Sequence, residues 1–112
     1  MKIAIPMANG MLAMHFGHCE SFALIEVDTE QKQITEHENV AAPPHEPGLL
    51  PAWLAQRGVN LVIAGGMGGR AQALFEQAGV KVVVGAPADT PERLIECYLA
   101  GTLQAGQNLC DH

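Results

Sequence analysis

The chain has 112 residues, 48% hydrophobic and 16% charged, which suits one compact domain with its own core and excludes a disordered chain. Twelve acids against six bases leave a net charge of −6, and no Lys/Arg cluster supplies the basic footprint that nucleic acid requires. No apolar run reaches the length of a membrane span, and the start, interrupted at Pro6, does not read as a secretory signal. Cys19, Cys97 and Cys110 are odd in number and lack the spacing of a disulfide framework. A reducing cytoplasm is the expected setting.

Lys2 to Met7 reads as a short buried strand ending at Pro6. Ala8 to Glu20 is a long connection that contains the turn signal Asn9-Gly10. Phe22 to Asp28 reads as the second strand and the 31–40 region as the third, with Ile34 and Val40 as its apolar points. Thr29-Glu30-Gln31 is short enough for a hairpin, so these two strands are expected to pair antiparallel. The proline-rich stretch 42–48 cannot be helical, and it holds His45. Leu50 to Gln56 follows as a helix that tolerates Pro51 in its first turn.

The second half alternates. Val59 to Ala64 is a nearly continuous apolar run, the mark of a central strand covered on both faces. Gly65-Gly66-Met67-Gly68-Gly69 opens a helix whose Ala71, Leu74, Phe75 and Ala78 recur at helical spacing. Val80 to Val84 is a fifth strand. Thr90 caps a last helix, with Pro91 at its first position and Leu94, Ile95, Tyr98 and Leu99 on its buried face. The order βββαβαβα predicts one mixed five-stranded α/β sheet with helices on its faces, the last two strands being parallel. The core is expected within residues 2–103, followed by an irregular tail over 104–112.

Two places carry chemistry. His15-Phe16-Gly17-His18-Cys19 packs two imidazoles and a thiol into five residues, near Met11 and Met14. Nitrogen and soft sulfur donors suit transition metals or metal–sulfur clusters better than magnesium or calcium. His45 could complete such a site if its loop lies near the first, and Cys110 and His112 form a Cys-x-His pair on the tail. The second place is the glycine-rich turn. Its Gly66, Met67, Gly68, Gly69 and Arg70 lie at a helix N-terminus, whose exposed N–H groups and nearby arginine suit an anionic ligand. Gly66-x-Gly68-x-x-Ala71 formally fits a dinucleotide pattern, but no acid stands at the tip of the next strand. Phe16 is expected to anchor its loop, Gly17 to permit a turn or a close approach, and Cys97 to sit in the core.

The ordered set of His15-Phe16-Gly17, Leu50-Pro51-Ala52-Trp53-Leu54, 62–71, Gly79-Val80 with 83–86, and 98–103 resembles the dinitrogenase iron–molybdenum cofactor biosynthesis family. The resemblance spans Lys2 to about Leu103. It implies a ribonuclease-H-like motif and non-catalytic binding or carriage of an iron–molybdenum or iron–sulfur type cluster. Partners would then be cluster donor and acceptor proteins. His18, Cys19 and the Cys110-Asp111-His112 end depart from the family pattern.

Enzyme readings fare poorly on the residues themselves. A ribonuclease-H-like nuclease needs carboxylates on its first strand to hold two divalent ions, and Lys2 to Met7 has none. Ser21 is the only serine, so no nucleophile elbow exists. A carrier therefore leads, with a small-molecule or nucleotide-binding regulatory module as the alternative. The site is expected where the His15–Cys19 loop and the glycine-rich turn meet, at the carboxyl ends of the strands.

Overall fold

The computed structural model describes residues 1–43 and 48–103, with the side chain of His18 outside that description. Its strands are β1 (Lys2–Ala8), β2 (Met11–Leu12), β3 (Ser21–Asp28), β4 (Gln33–Ala41), β5 (Leu61–Ile63) and β6 (Lys81–Val83). The helices are α1 (Leu49–Gln56), α2 (Gly69–Gln77) and α3 (Pro91–Ala100). Five strands form the sheet in the order β4-β3-β1-β5-β6, as a mixed α/β architecture requires, and β2 pairs with β1 off that path. The element order is the expected one with this short strand added. It forms because Asn9 (φ 55°) and Gly10 (φ 79°) both take the left-handed conformation, a two-residue hairpin turn that sets Met7 opposite Leu12.

β1 is the central strand. It pairs antiparallel with β3 through Lys2↔Glu26 to Met7↔Ser21, and parallel with β5 through Ile3↔Leu61 and Ala4↔Val62. β5 and β6 are parallel, as right-handed crossovers demand. Two apolar layers result. Ile3, Ile5, Ala23, Ile25, Val27 and Ile63 pack with Leu94 and Ile95 of α3. Ala4, Phe22, Leu24, Val62 and Ala64 pack on the other face with Leu54 of α1 and Phe75 of α2. Thr90 caps α3 by accepting from Arg93 N at 3.5 Å, and Pro91 opens it.

β4 is an edge strand exposed along its length except at Val40. Its Glu36, His37 and Glu38 give that edge the charge that discourages pairing with another strand. A β-bulge breaks the β3–β4 register: Glu26 opposes Glu36, yet Val27 opposes Ile34. Thr35 is the extra residue, and its Oγ1 donates to the Glu26 carbonyl at 3.1 Å.

Among the described residues α3 is the one helix on its face of the sheet, and its Leu94 and Ile95 are central to that layer. Truncating Leu94→Ala removes a side chain that is 1% exposed. Urea unfolding should show a loss of about 2–5 kcal/mol with an unchanged denaturant slope.

Candidate cluster-binding site at the strand ends

β1 and β5 are parallel neighbours, so the connections that leave their carboxyl ends emerge side by side. After β2 the chain is held to the sheet by Ala13 N, which donates to Pro6 O at 2.8 Å, and by Leu12 N, which donates to Asp89 O at 3.0 Å. It then runs parallel to the end of β5. Gly66 N donates to Met14 O at 2.8 Å, and Phe16 N donates to Gly66 O at 2.9 Å, which makes a parallel bridge of His15 and Gly66. The expected meeting of the two segments is thus present. Gly65 permits it: a Cβ there would lie 3.0 Å from Met14 O and 3.2 Å from Met14 Cα.

Phe16 then plugs the core. It packs edge-on against Phe75 with ring centroids 5.5 Å apart, and against Phe22 at 5.9 Å. Phe22 continues to Trp53 at 5.6 Å, where Arg57 stacks over the indole at 3.8 Å. One aromatic run therefore ties the loop to α2, β3 and α1.

The glycine-rich turn divides into a buried half and an open half. Gly65, Gly66 and Met67 are buried, while Gly68, Gly69 and Arg70 are exposed. Gly66 spends both backbone groups on the Met14–Phe16 segment, and Gly65 O accepts from Gly85 N at 2.6 Å. Met67 is fully buried in the layer that holds Phe16, Phe75 and Leu54, so of this residue only the backbone can serve the turn. Gln72 Nε2 donates to Met67 O at 2.9 Å and pins the turn, a role the sequence pattern did not flag. α2 starts at Gly69 with no acidic residue in its first turn, and its first N–H groups have no intrahelical acceptor. Together with Arg70 they make a positive rim.

His15 is exposed beside this rim, next to Met14, which is 40% exposed. Gly17 needs another explanation than the expected one. Its φ is not left-handed, and a Cβ there would meet nothing within 4 Å; the same is true of Gly68. Neither glycine is demanded by the chain's own packing.

Cys19 is half-buried against the aromatic layer, and burial pushes its thiol up to about 11. It is a protonated, apolar-packed thiol at neutral pH. His45, Cys110 and His112 lie outside the described residues. Among the described residues, no three of His, Cys, Asp and Glu converge to hold a metal ion. Cys97 sits half-buried on α3.

The family model described as dinitrogenase iron–molybdenum cofactor matches residues 1–101. The chain belongs to this family. An uncharacterised protein of Methanocaldococcus jannaschii is 34% identical over 108 residues, covering 93% of this chain and 90% of that one. The crystal structure of PH0822 superposes with a TM-score of 0.86 at 27% identity, covering 94% of both chains. The apo form of the orange protein from Desulfovibrio gigas superposes with a TM-score of 0.72 at 22% identity, covering 96% of this chain and 93% of that one. The last likeness establishes the fold. Among the described residues, no helix is long and apolar enough to cross a membrane.

Two outcomes follow from this geometry. Gly65→Ala forces the Met14 backbone away and should cost about 1–3 kcal/mol in chemical denaturation, whereas Gly68→Ala should stay within about 1 kcal/mol of the parent. The raised Cys19 pKa means that the folded chain keeps a proton the unfolded chain releases near pH 9. Its contribution to stability is complete below pH 9 and lost as pH rises towards 11. In a Cys97→Ser/Cys110→Ser background, alkylation of Cys19 at pH 8 should run about 100-fold slower than for an unperturbed thiol.

Proposed function

We propose that this protein binds and carries an iron–molybdenum or other metal–sulfur cluster, or its precursor, without catalysing a reaction on it. The observation that carries this reading is the bridge between His15 and Gly66, which sets an exposed imidazole beside the positive start of α2. An imidazole is a ligand for iron and molybdenum centres, and the N–H groups and Arg70 offset the negative charge of a sulfide-rich cargo. Gly17 and Gly68 support the reading from the steric side, because they leave open space that the fold itself does not require. Gly66 and Met67 then support the wall from within, while Gly68, Gly69 and Arg70 face the cargo.

The donors at hand are few, and this suits a carrier. His15 offers its imidazole from the exposed side of the bridge, whereas Cys19 must surrender a proton that burial holds tightly. His18 and His45 are further candidate ligands. The cargo passes between a cluster donor and an acceptor protein, in the reducing cytoplasm where such clusters survive.

A nucleotide-binding module makes less use of this site. The first glycines of the turn are committed to Met14, Phe16 and Gly85, so their backbones are not available to cradle a pyrophosphate.

Anaerobic reconstitution of the chain with iron, sulfide and molybdate, followed by metal analysis and visible absorption, tests the reading. Stoichiometric uptake is expected, and His15→Ala and Gly68→Val should each remove most of it while the fold persists by circular dichroism. No uptake, or uptake indifferent to both substitutions, overturns the proposal. Thermal stabilisation by a nucleotide without metal uptake would establish the regulatory module instead.

A further inference from the structure

A five-stranded sheet is about 24 Å wide, while a helix with its side chains covers about 10 Å. On the face where α3 is the one helix among the described residues, a strip beside it is left open by those residues. There a groove of about 670 Å³ runs between Lys32 and Ile34 on one side and Ile95, Glu96, Leu99 and Ala100 of α3 on the other.

The β-bulge makes this groove apolar. Residues directly opposite in an antiparallel pair share a face, and Val27 belongs to the α3 layer. Were Thr35 paired regularly opposite Val27, Ile34 would oppose Asp28 and turn to the other face; because Thr35 bulges out of the ladder, Ile34 opposes Val27 and points to the α3 side. Yet Ile34 stays 38% exposed, one of three large hydrophobics so exposed among the described residues. A backbone irregularity that aims an isoleucine into a groove and leaves it uncovered marks a contact surface.

The rim says what covers it. Lys32 and Glu96 stand on opposite sides of the groove, both exposed, and neither makes an ion pair among the described residues. Opposite charges flanking an apolar centre are self-complementary under a two-fold axis, which brings each residue i against j and each j against i. A generally basic partner would instead meet Lys32 as a repulsion. Two copies of net charge −6 repel each other overall, so their association needs local pairing of this kind.

We propose that this groove is the self-association surface: two copies pack across a two-fold axis that runs along the groove, so that Ile34 of each copy meets Ile95 and Leu99 of the other and Lys32 of each copy faces Glu96 of the other. The groove lies at the β3–β4 turn and the C-terminal end of α3, the end of the sheet away from the His15–Gly66 bridge. Both candidate cluster sites stay open at the two far ends of the dimer.

Sedimentation equilibrium of the full chain over a concentration series tests this, with charge reversals that leave the core untouched. A monomer–dimer equilibrium is expected, and Lys32→Glu and Glu96→Lys should each raise its Kd at least about tenfold. Mixing the two single variants in equal amounts should restore the dimer, because every contact across the axis is then attractive. The doubly reversed chain Lys32→Glu/Glu96→Lys should dimerise like the parent, with circular dichroism showing that all variants fold. A chain monomeric throughout, a dimer unmoved by either reversal, or a mixture that stays monomeric overturns the proposal.

Discussion

The close approach of the Met14–Phe16 backbone to Gly65 and Gly66 is the constraint from which the rest of this site follows. Two hydrogen bonds flank His15, each contributing about 0.5–1.5 kcal/mol. Burying Phe16 contributes more, about 1.5–3 kcal/mol. The loop is thus held chiefly by an apolar plug, while the hydrogen bonds set its register. Because the plug and the bridge are adjacent residues, His15 has little freedom to drift along the sheet end. A Cβ at Gly65 would remove this arrangement at its root, because the atoms it meets include backbone.

That approach is possible because of strand order. β1 and β5 lie side by side and point the same way, but the chain leaves them in opposite directions, towards β3 from one and towards β6 from the other. Connections that diverge from neighbouring parallel strands open a crevice between them at the carboxyl end. In this protein the crevice is partly filled by main chain, since residues 14–16 act as a short extra strand beside the end of β5. What remains accessible is its outer lip: His15 and Met14 on one side, Gly68, Gly69 and Arg70 on the other. A lip supports a cargo without enclosing it.

Much of this arrangement was legible in the chain itself. The nearly continuous apolar run at 59–64 marked a central strand, and alternation with helices forced parallel pairing of the last two strands; the meeting of the two loops was expected only from the preference of ligands for strand carboxyl ends, and the parallel pairing of β1 with β5 that produces it was not legible. Other features were not legible, for identifiable reasons. β2 has two residues, too few for any periodicity, and only Asn9-Gly10 hinted at it. β4 carries the polar run Glu36-His37-Glu38 because it is an edge with water on both faces, so its apolar points are sparse. The bulge at Thr35 has no sequence signature of its own. Met67 sits within a glycine-rich turn whose pattern says nothing of its side chain; its burial in the layer of Phe16 and Phe75 gives it a packing role. Gly17 looked like a turn glycine and has ordinary backbone, and that mismatch is informative, since it shifts the explanation from folding to free space.

The same comparison separates the members of the His15–Cys19 segment, which look alike in sequence. His15 lies on the outer side of the bridge, exposed. Cys19 lies four residues on, where the chain turns back into β3 and the aromatic layer desolvates its sulfur. A thiolate there would sit in apolar surroundings with only a metal to compensate it, so a metal bound through Cys19 would first have to displace a tightly held proton. The thiol is therefore open only to a metal that binds strongly enough to ionise it. In the proposed carrier role the two side chains would serve differently: the exposed imidazole at the lip is reached directly by a cargo, the half-buried thiol only after its proton is displaced.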